Sequence, residues 1–181
     1  RQFLIKRKDD RHVTNSERAH IQLLIGDAYF RQERFDIARD EYNTVLTLPE
    51  YKNLPEALEG RFKIGATLVA QKIYSKAQEI FEDLTKSPDE NIIGRAHMML
   101  GILFHAKGDR KAAEEKFKEV LALAPKNETA DEIIYRLGTV YQERKKYKEA
   151  LDALRLIGAW SGESKRVIEP GRALRIRLSD R

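Results

Sequence analysis

Cysteine is absent from these 181 residues, tryptophan occurs once, methionine twice and proline five times. Without cysteine there are no disulfides, no thiolate nucleophile and no thiolate metal ligand. No apolar run approaches the roughly 18 residues that a membrane-crossing helix needs. The four histidines, His12, His20, His97 and His105, are scattered. Glu17 and His20 make one Glu-x-x-His pair, whereas a di-iron bundle needs a second pair and two further carboxylates. His97 and His105 stand too far apart on one helix to share a metal. Gly158 to Gly162 lacks the lysine of a phosphate-binding loop. Ser161 and Ser164 lie in no Gly-x-Ser-x-Gly elbow. The expectation from these absences is a chain with no cofactor, no metal and no enzymatic activity.

Charge of one sign is also scarce. Thirty-four Lys and Arg face 29 Asp and Glu, for a net charge of +5. Arg144-Lys145-Lys146-Tyr147-Lys148 is a basic turn, and Arg172, Arg175, Arg177 and Arg181 follow in the tail. A nucleic-acid footprint would be a one-sided basic stripe. Here every helix carries acids beside its bases, so no nucleic-acid partner is expected and the turn reads as solvated.

What the chain does have is a repeat. Four segments align on a glycine: Ile25-Gly26-Asp27-Ala28-Tyr29, Ile64-Gly65-Ala66-Thr67-Leu68, Leu100-Gly101-Ile102-Leu103-Phe104 and Leu137-Gly138-Thr139-Val140-Tyr141. The glycines are 39, 36 and 37 residues apart. Twelve residues after each comes an alanine (Ala38, Ala77, Ala113, Ala150), and four later a large apolar residue (Tyr42, Phe81, Phe117, Leu154). Periods of this length mark stacked helical hairpins, none of which can bury both faces alone. Glycine inside a helix costs roughly 1 kcal/mol against alanine, so four in one slot imply close helix packing. The alanine is expected to face the glycine, and the large residue to fill the space between successive repeats.

The pattern resembles the tetratricopeptide repeat family, whose motif carries Leu-Gly-x-x-Tyr on helix A and Ala-x-x-x-Phe on helix B. The resemblance covers roughly residues 16 to 160. It departs at the usual tryptophan slot, here Gln22, Arg61, His97 and Ile134, and in repeats longer than the usual 34 or so residues. Longer repeats occur in bacterial envelope members, which leans the localisation toward a bacterial envelope or periplasm. The resemblance implies an all-α, right-handed α-solenoid of four helix-turn-helix repeats, at about 16–53, 54–90, 91–126 and 127–160. Residues 1–15 form a basic segment or cap ahead of them.

Several local signals can be placed on this frame. Ser16 is the expected N-cap of the first helix. Pro55 suits the first turn of the third helix. Asp109 caps the sixth, Asn127 the seventh, and Pro125 stops the sixth. Glu114 and Lys118 form an i,i+4 pair on an outward face. In the tail, Leu174, Ile176 and Leu178 alternate with Arg175, Arg177 and Ser179, the period of a half-buried strand. Residues 161–181 therefore read either as the first strand of a following β domain or as a tail folded over the last repeat. The chain opens on Arg1 rather than Met, which we read as a fragment or a processed chain.

In the resembled family a partner lies against the A helices. Carrying its positions over residue by residue gives Leu23, Asp27, Phe62, Ala66, Arg95, Met98, Ile102, Tyr135 and Thr139 as contacts. Lys63 and Arg136 occupy the slot two before the glycine, which in carboxylate-clamping members holds asparagine; Leu24 and Met99 complete that slot, so the clamp is not expected. The expectation is a non-catalytic scaffold that binds a peptide or helix of another protein. The alternatives are a module that assembles with its own copies and an accessory module that docks a larger protein's other domains.

Overall fold

The computed structural model describes residues 13–123 and 130–160. They form eight helices: α1 (Asn15–Phe30), α2 (Phe35–Thr47), α3 (Pro55–Ala70), α4 (Tyr74–Leu84), α5 (Glu90–Ala106), α6 (Arg110–Leu123), α7 (Ala130–Glu143) and α8 (Tyr147–Trp160). No strand occurs among the described residues. The helices pair as four hairpins, one per repeat. Two compact units divide within α5, the first ending at Ala96 and the second starting at His97. The Asn127 cap, the Pro125 stop and the strand reading of the tail fall outside the described residues.

The helix starts follow from local chemistry. Helix α1 is capped by Thr14, not by Ser16. Thr14 Oγ1 accepts from Glu17 N at 3.2 Å, and Thr14 N donates to Glu17 Oε2 at 2.9 Å. The glutamate three residues on closes this reciprocal box, and Ser16 has no such partner in register. Ser16 instead donates its hydroxyl to Glu56. Pro55 opens α3 at its first position, where a missing N–H costs nothing. Asp89 accepts from Asn91 N and Ile92 N ahead of α5, and Asp109 accepts from Ala112 N at 3.0 Å ahead of α6.

All four hairpin turns share one main-chain geometry. Seven residues after each repeat glycine the chain turns left-handed, at Glu33 (φ 59°), Lys72 (φ 61°), Gly108 (φ 83°) and Lys145 (φ 59°). Around each, two main-chain bonds close the preceding helix. In the first turn Glu33 N donates to Phe30 O at 2.9 Å and Arg34 N to Tyr29 O at 3.0 Å. The same pair recurs as Lys72 to Val69 with Ile73 to Leu68, Gly108 to His105 with Asp109 to Phe104, and Lys145 to Gln142 with Lys146 to Tyr141. This is the Schellman closure, which satisfies carbonyls that a helix end leaves open.

In the first three repeats the glycine meets its own hairpin's aromatic ring. A Cβ at Gly26 would lie 2.3 Å from the Tyr42 ring, at Gly65 2.9 Å from that of Phe81, and at Gly101 2.6 Å from that of Phe117. So the residue sixteen on, not the alanine twelve on, covers the glycine, and it packs within its own repeat. The alanines Ala38, Ala77, Ala113 and Ala150 are fully buried beside it. In the first unit the core gathers Leu23, Ile25, Tyr29, Tyr42 and Val45. In the second it gathers Phe117, Ile133, Ile134, Val140 and Leu154.

Candidate functional site

In the first unit the A-helix positions carry a charge ladder across α1, α3 and the start of α5. Lys63 Nζ donates to both oxygens of Asp27, at 2.9 and 3.0 Å, and stands 3.7 Å from Glu59. Arg95 forks onto Glu59 from both terminal nitrogens, at 2.5 and 3.0 Å, and its guanidinium lies 4.0 Å over the Phe62 ring. Tyr42 donates its phenol proton to Asp27 Oδ1 at 2.8 Å. Two cations and two anions balance. Lys63, two before its repeat glycine, and the expected contact Arg95 are thus each matched by a carboxylate.

The ionisation of this ladder follows from its packing. Burial alone would raise the Glu59 carboxyl, but the hydrogen bonds and charge of Arg95, with Lys63 behind them, outweigh it and hold it below the ordinary carboxylate range. The Tyr42 phenol is pushed far up, first by burial and then by its bond to the Asp27 carboxylate. It is a permanent donor.

Two of the expected contacts are core residues. Leu23 is 2% exposed and Phe62 8%, the latter edge-on to Phe81 with centroids 5.5 Å apart. They support the face from behind. Asp27, Lys63, Ala66 and Arg95 are half-buried and form its outer layer.

The second unit presents a different face. Met98, Ile102 and Tyr135 are partly buried and lodge against its core. Thr139 is half-buried and returns its hydroxyl to Tyr135 O at 3.2 Å. Arg136 pairs with Glu132 at 2.7 Å, while its Nε is buried with no hydrogen-bond partner among the described residues. Nearby, His97 Nδ1 lies 2.7 Å from Glu119 Oε2 without hydrogen-bond geometry. Burial depresses its pKa, aided by Lys116 and opposed by Glu119.

One pair departs from its expected setting. Glu114 does not face outward: it is 5% exposed. Lys118 reaches it at 2.6 Å, and Arg144 and Lys146 reach it from the turn before α8. Burial would raise the Glu114 carboxyl, but these three cations outweigh it and hold it low. A contiguous basic turn was legible; its buried counter-ion thirty residues earlier was not. A further concavity missed by repeat reasoning is an open groove of about 580 Å³ in the first unit. Leu46, Leu54, Pro55, Leu58 and Pro88 line it, with Arg61 among them.

Among the described residues no group of three His, Asp or Glu could hold a metal, and no helix is long and apolar enough to cross a membrane. The hairpin repeat, its left-handed turns and the glycine–aromatic pairs define a helical repeat protein. The tetratricopeptide repeat profiles match residues 23–91, 74–128 and 132–158. The chain belongs to the tetratricopeptide repeat family.

Solved structures share the fold. MamA from Desulfovibrio magneticus RS-1 is 18% identical, with a TM-score of 0.66 over 91% of this chain and 85% of that one. RapI in its apo form is 16% identical, with a TM-score of 0.69 over 98% of this chain and 74% of that one. The nearly identical TPR-like repeats of a Podosopora anserina protein assigned as a kinesin light chain are 19% identical. They give a TM-score of 0.69 over 93% of this chain and 87% of that one. No curated protein matches the sequence.

Proposed function

We propose that this chain is a non-catalytic protein-binding scaffold whose A-helix face in each unit takes a peptide or helix of another protein. The observation that carries the reading is the second unit's trio Met98, Ile102 and Tyr135, apolar side chains anchored on the core yet only partly buried. Arg136, next in sequence to Tyr135, holds one buried N–H with no partner among the described residues, and Thr139 adds a small polar contact. Apolar anchors on a rigid helical surface suit recognition of a partner's hydrophobic side chains. Methionine adapts to the shape of what it meets. On the first unit the proposed contacts are Asp27, Lys63, Ala66 and Arg95, with Leu23 and Phe62 as support. That ladder is charge-balanced and selects polar complementarity rather than a strongly acidic ligand.

Two or three buried anchors contribute roughly 1.5–3 kcal/mol each before ordering costs, which places binding in the micromolar range. The test is affinity capture from an extract of the source organism with the wild type, an Ile102→Glu variant and a Lys76→Glu variant. Helicity is checked by circular dichroism. A protein retained by the wild type and by Lys76→Glu and lost by Ile102→Glu supports the reading. Equal retention by all three removes the second unit's A-helix face from consideration.

A further inference from the structure

Outside the A-helix face, the second unit gathers three cations on one buried carboxylate. Lys118 Nζ donates to Glu114 Oε1 at 2.6 Å. Lys146 Nζ donates to both oxygens at 3.3 and 3.2 Å, and Arg144 donates to Oε2. Both ammonium groups also stand over the Tyr141 ring, 5.7 and 5.6 Å from its centroid. The cluster carries one negative and three positive charges, so a double positive excess remains. Lys145, exposed at the left-handed position of the same turn, adds to it.

The excess faces water. The Lys118 side chain is 54% exposed, that of Lys146 34% and that of Arg144 26%, whereas the Glu114 side chain is 6% exposed. Each ammonium has three N–H donors and Arg144 has five, more than one carboxylate can accept. The buried anion therefore holds the cations in place from beneath while leaving donors directed outward. Cations already ordered by a counter-ion lose little side-chain freedom when an anion docks. This separates them from an ordinary solvated lysine run.

We propose that this cluster of Lys118, Arg144, Lys145 and Lys146 is a second docking surface, and that its occupant is an acidic segment of a protein partner rich in Asp and Glu. Carboxylates spaced along an extended chain match cations spread over a helix face and a turn. The first unit's ladder offers no comparable excess, so the two surfaces select different features of a partner.

The probe is a fluorescein-labelled peptide of alternating Glu and Asp, followed by anisotropy at low and physiological salt. A DNA single strand of equal net charge runs in parallel. The expected result is peptide binding that weakens with salt and falls at least about tenfold in Lys118→Glu. Lys76→Glu, the same charge change at an exposed site of the first unit, is expected to alter it by less than about twofold. Lys118→Gln, which adds no repulsion toward Glu114 and leaves Arg144 and Lys146 on it, is expected to give an intermediate loss with a melting temperature only slightly below that of the wild type. Equal losses in Lys118→Glu and Lys76→Glu would reduce the effect to net charge and overturn the proposal. So would DNA binding that is as tight as the peptide's and as sensitive to Lys118→Glu, or no peptide binding at low salt.

Discussion

Tyr42 holds Asp27 by a 2.8 Å hydrogen bond while its ring occupies the space a Cβ on Gly26 would need. One side chain thus closes the first hairpin's packing and orients a carboxylate on its outer face. Tyr42→Phe keeps the ring and removes the donor. Hydrogen bonds to a charged group contribute about 1.5–3 kcal/mol, and Lys63 remains on Asp27 to limit the loss. The expected destabilisation lies at the low end of that range, read from urea unfolding. A variant as stable as the wild type would mean the phenol is no better placed than in water.

Gly101 and Gly94 sit on the same helix and should respond oppositely to alanine. At Gly101 the new methyl would meet the fully buried Phe117 ring at 2.6 Å, and at Gly94 it would meet nothing within 4 Å. Overpacking of this kind costs about 1–3 kcal/mol. A free helical site instead gains up to roughly 1 kcal/mol from better helix propensity. Melting temperatures of the two single variants should move in opposite directions, and a shift of the same sign would refute the packing account.

The left-handed turns give a second contrast. Glu33 and Lys72 hold positive φ with ordinary side chains, and Gly108 holds it without one. Glu33→Gly and Lys72→Gly relieve steric strain but free the unfolded chain, for an expected net gain of about 0.5–1 kcal/mol. Gly108→Ala is expected to lose a similar amount, although its surroundings are open. Denaturant midpoints for the three variants measure the balance directly.

Acid should weaken the fold in two stages. The His97 pKa is depressed by burial from its ordinary 6.5, so the unfolded chain takes up that proton first. Its contribution is complete above about pH 6.5 and is lost as pH falls through the folded value. Glu59, Glu114 and Glu143 lie below their ordinary 4.5. In Glu143, burial is outweighed by Arg110 and His105. These carboxylates contribute fully above about pH 4.5, and that stability disappears as they protonate below it. A His97→Gln variant should flatten only the upper stage of the melting-temperature profile. A wild-type profile rising toward acid would contradict both assignments.

The repeat, its hairpins and most helix ends were legible because they rest on local signals: glycine and alanine spacing, Pro55, Asp109 and the large apolar residue sixteen after each glycine. The Thr14 cap was missed because Ser16 is the nearer serine, although Glu17 three residues beyond Thr14 was the available clue. The expected contacts Leu23 and Phe62 were placed by family register, which does not report depth; the structure seats both in the core. The Glu114 cluster escaped because it joins α6 to a turn thirty residues later, and a helical wheel shows Glu114 only beside Lys118. The charge ladder escaped for the same reason: Asp27, Glu59, Lys63 and Arg95 come from three helices.

The four Schellman turns use main-chain atoms alone, and Glu, Lys, Gly and Lys occupy their shared left-handed slot. Closure of each hairpin therefore needs no side-chain bond from those residues, whose identity is felt only through the strain of the left-handed backbone. These sites can carry surface charge, as Glu33, Lys72 and Lys145 do, at the modest cost of a side chain on a left-handed backbone. They are the chain's interchangeable joints, where one hairpin's turn can stand in for another's and a new recognition feature can arise at little structural risk.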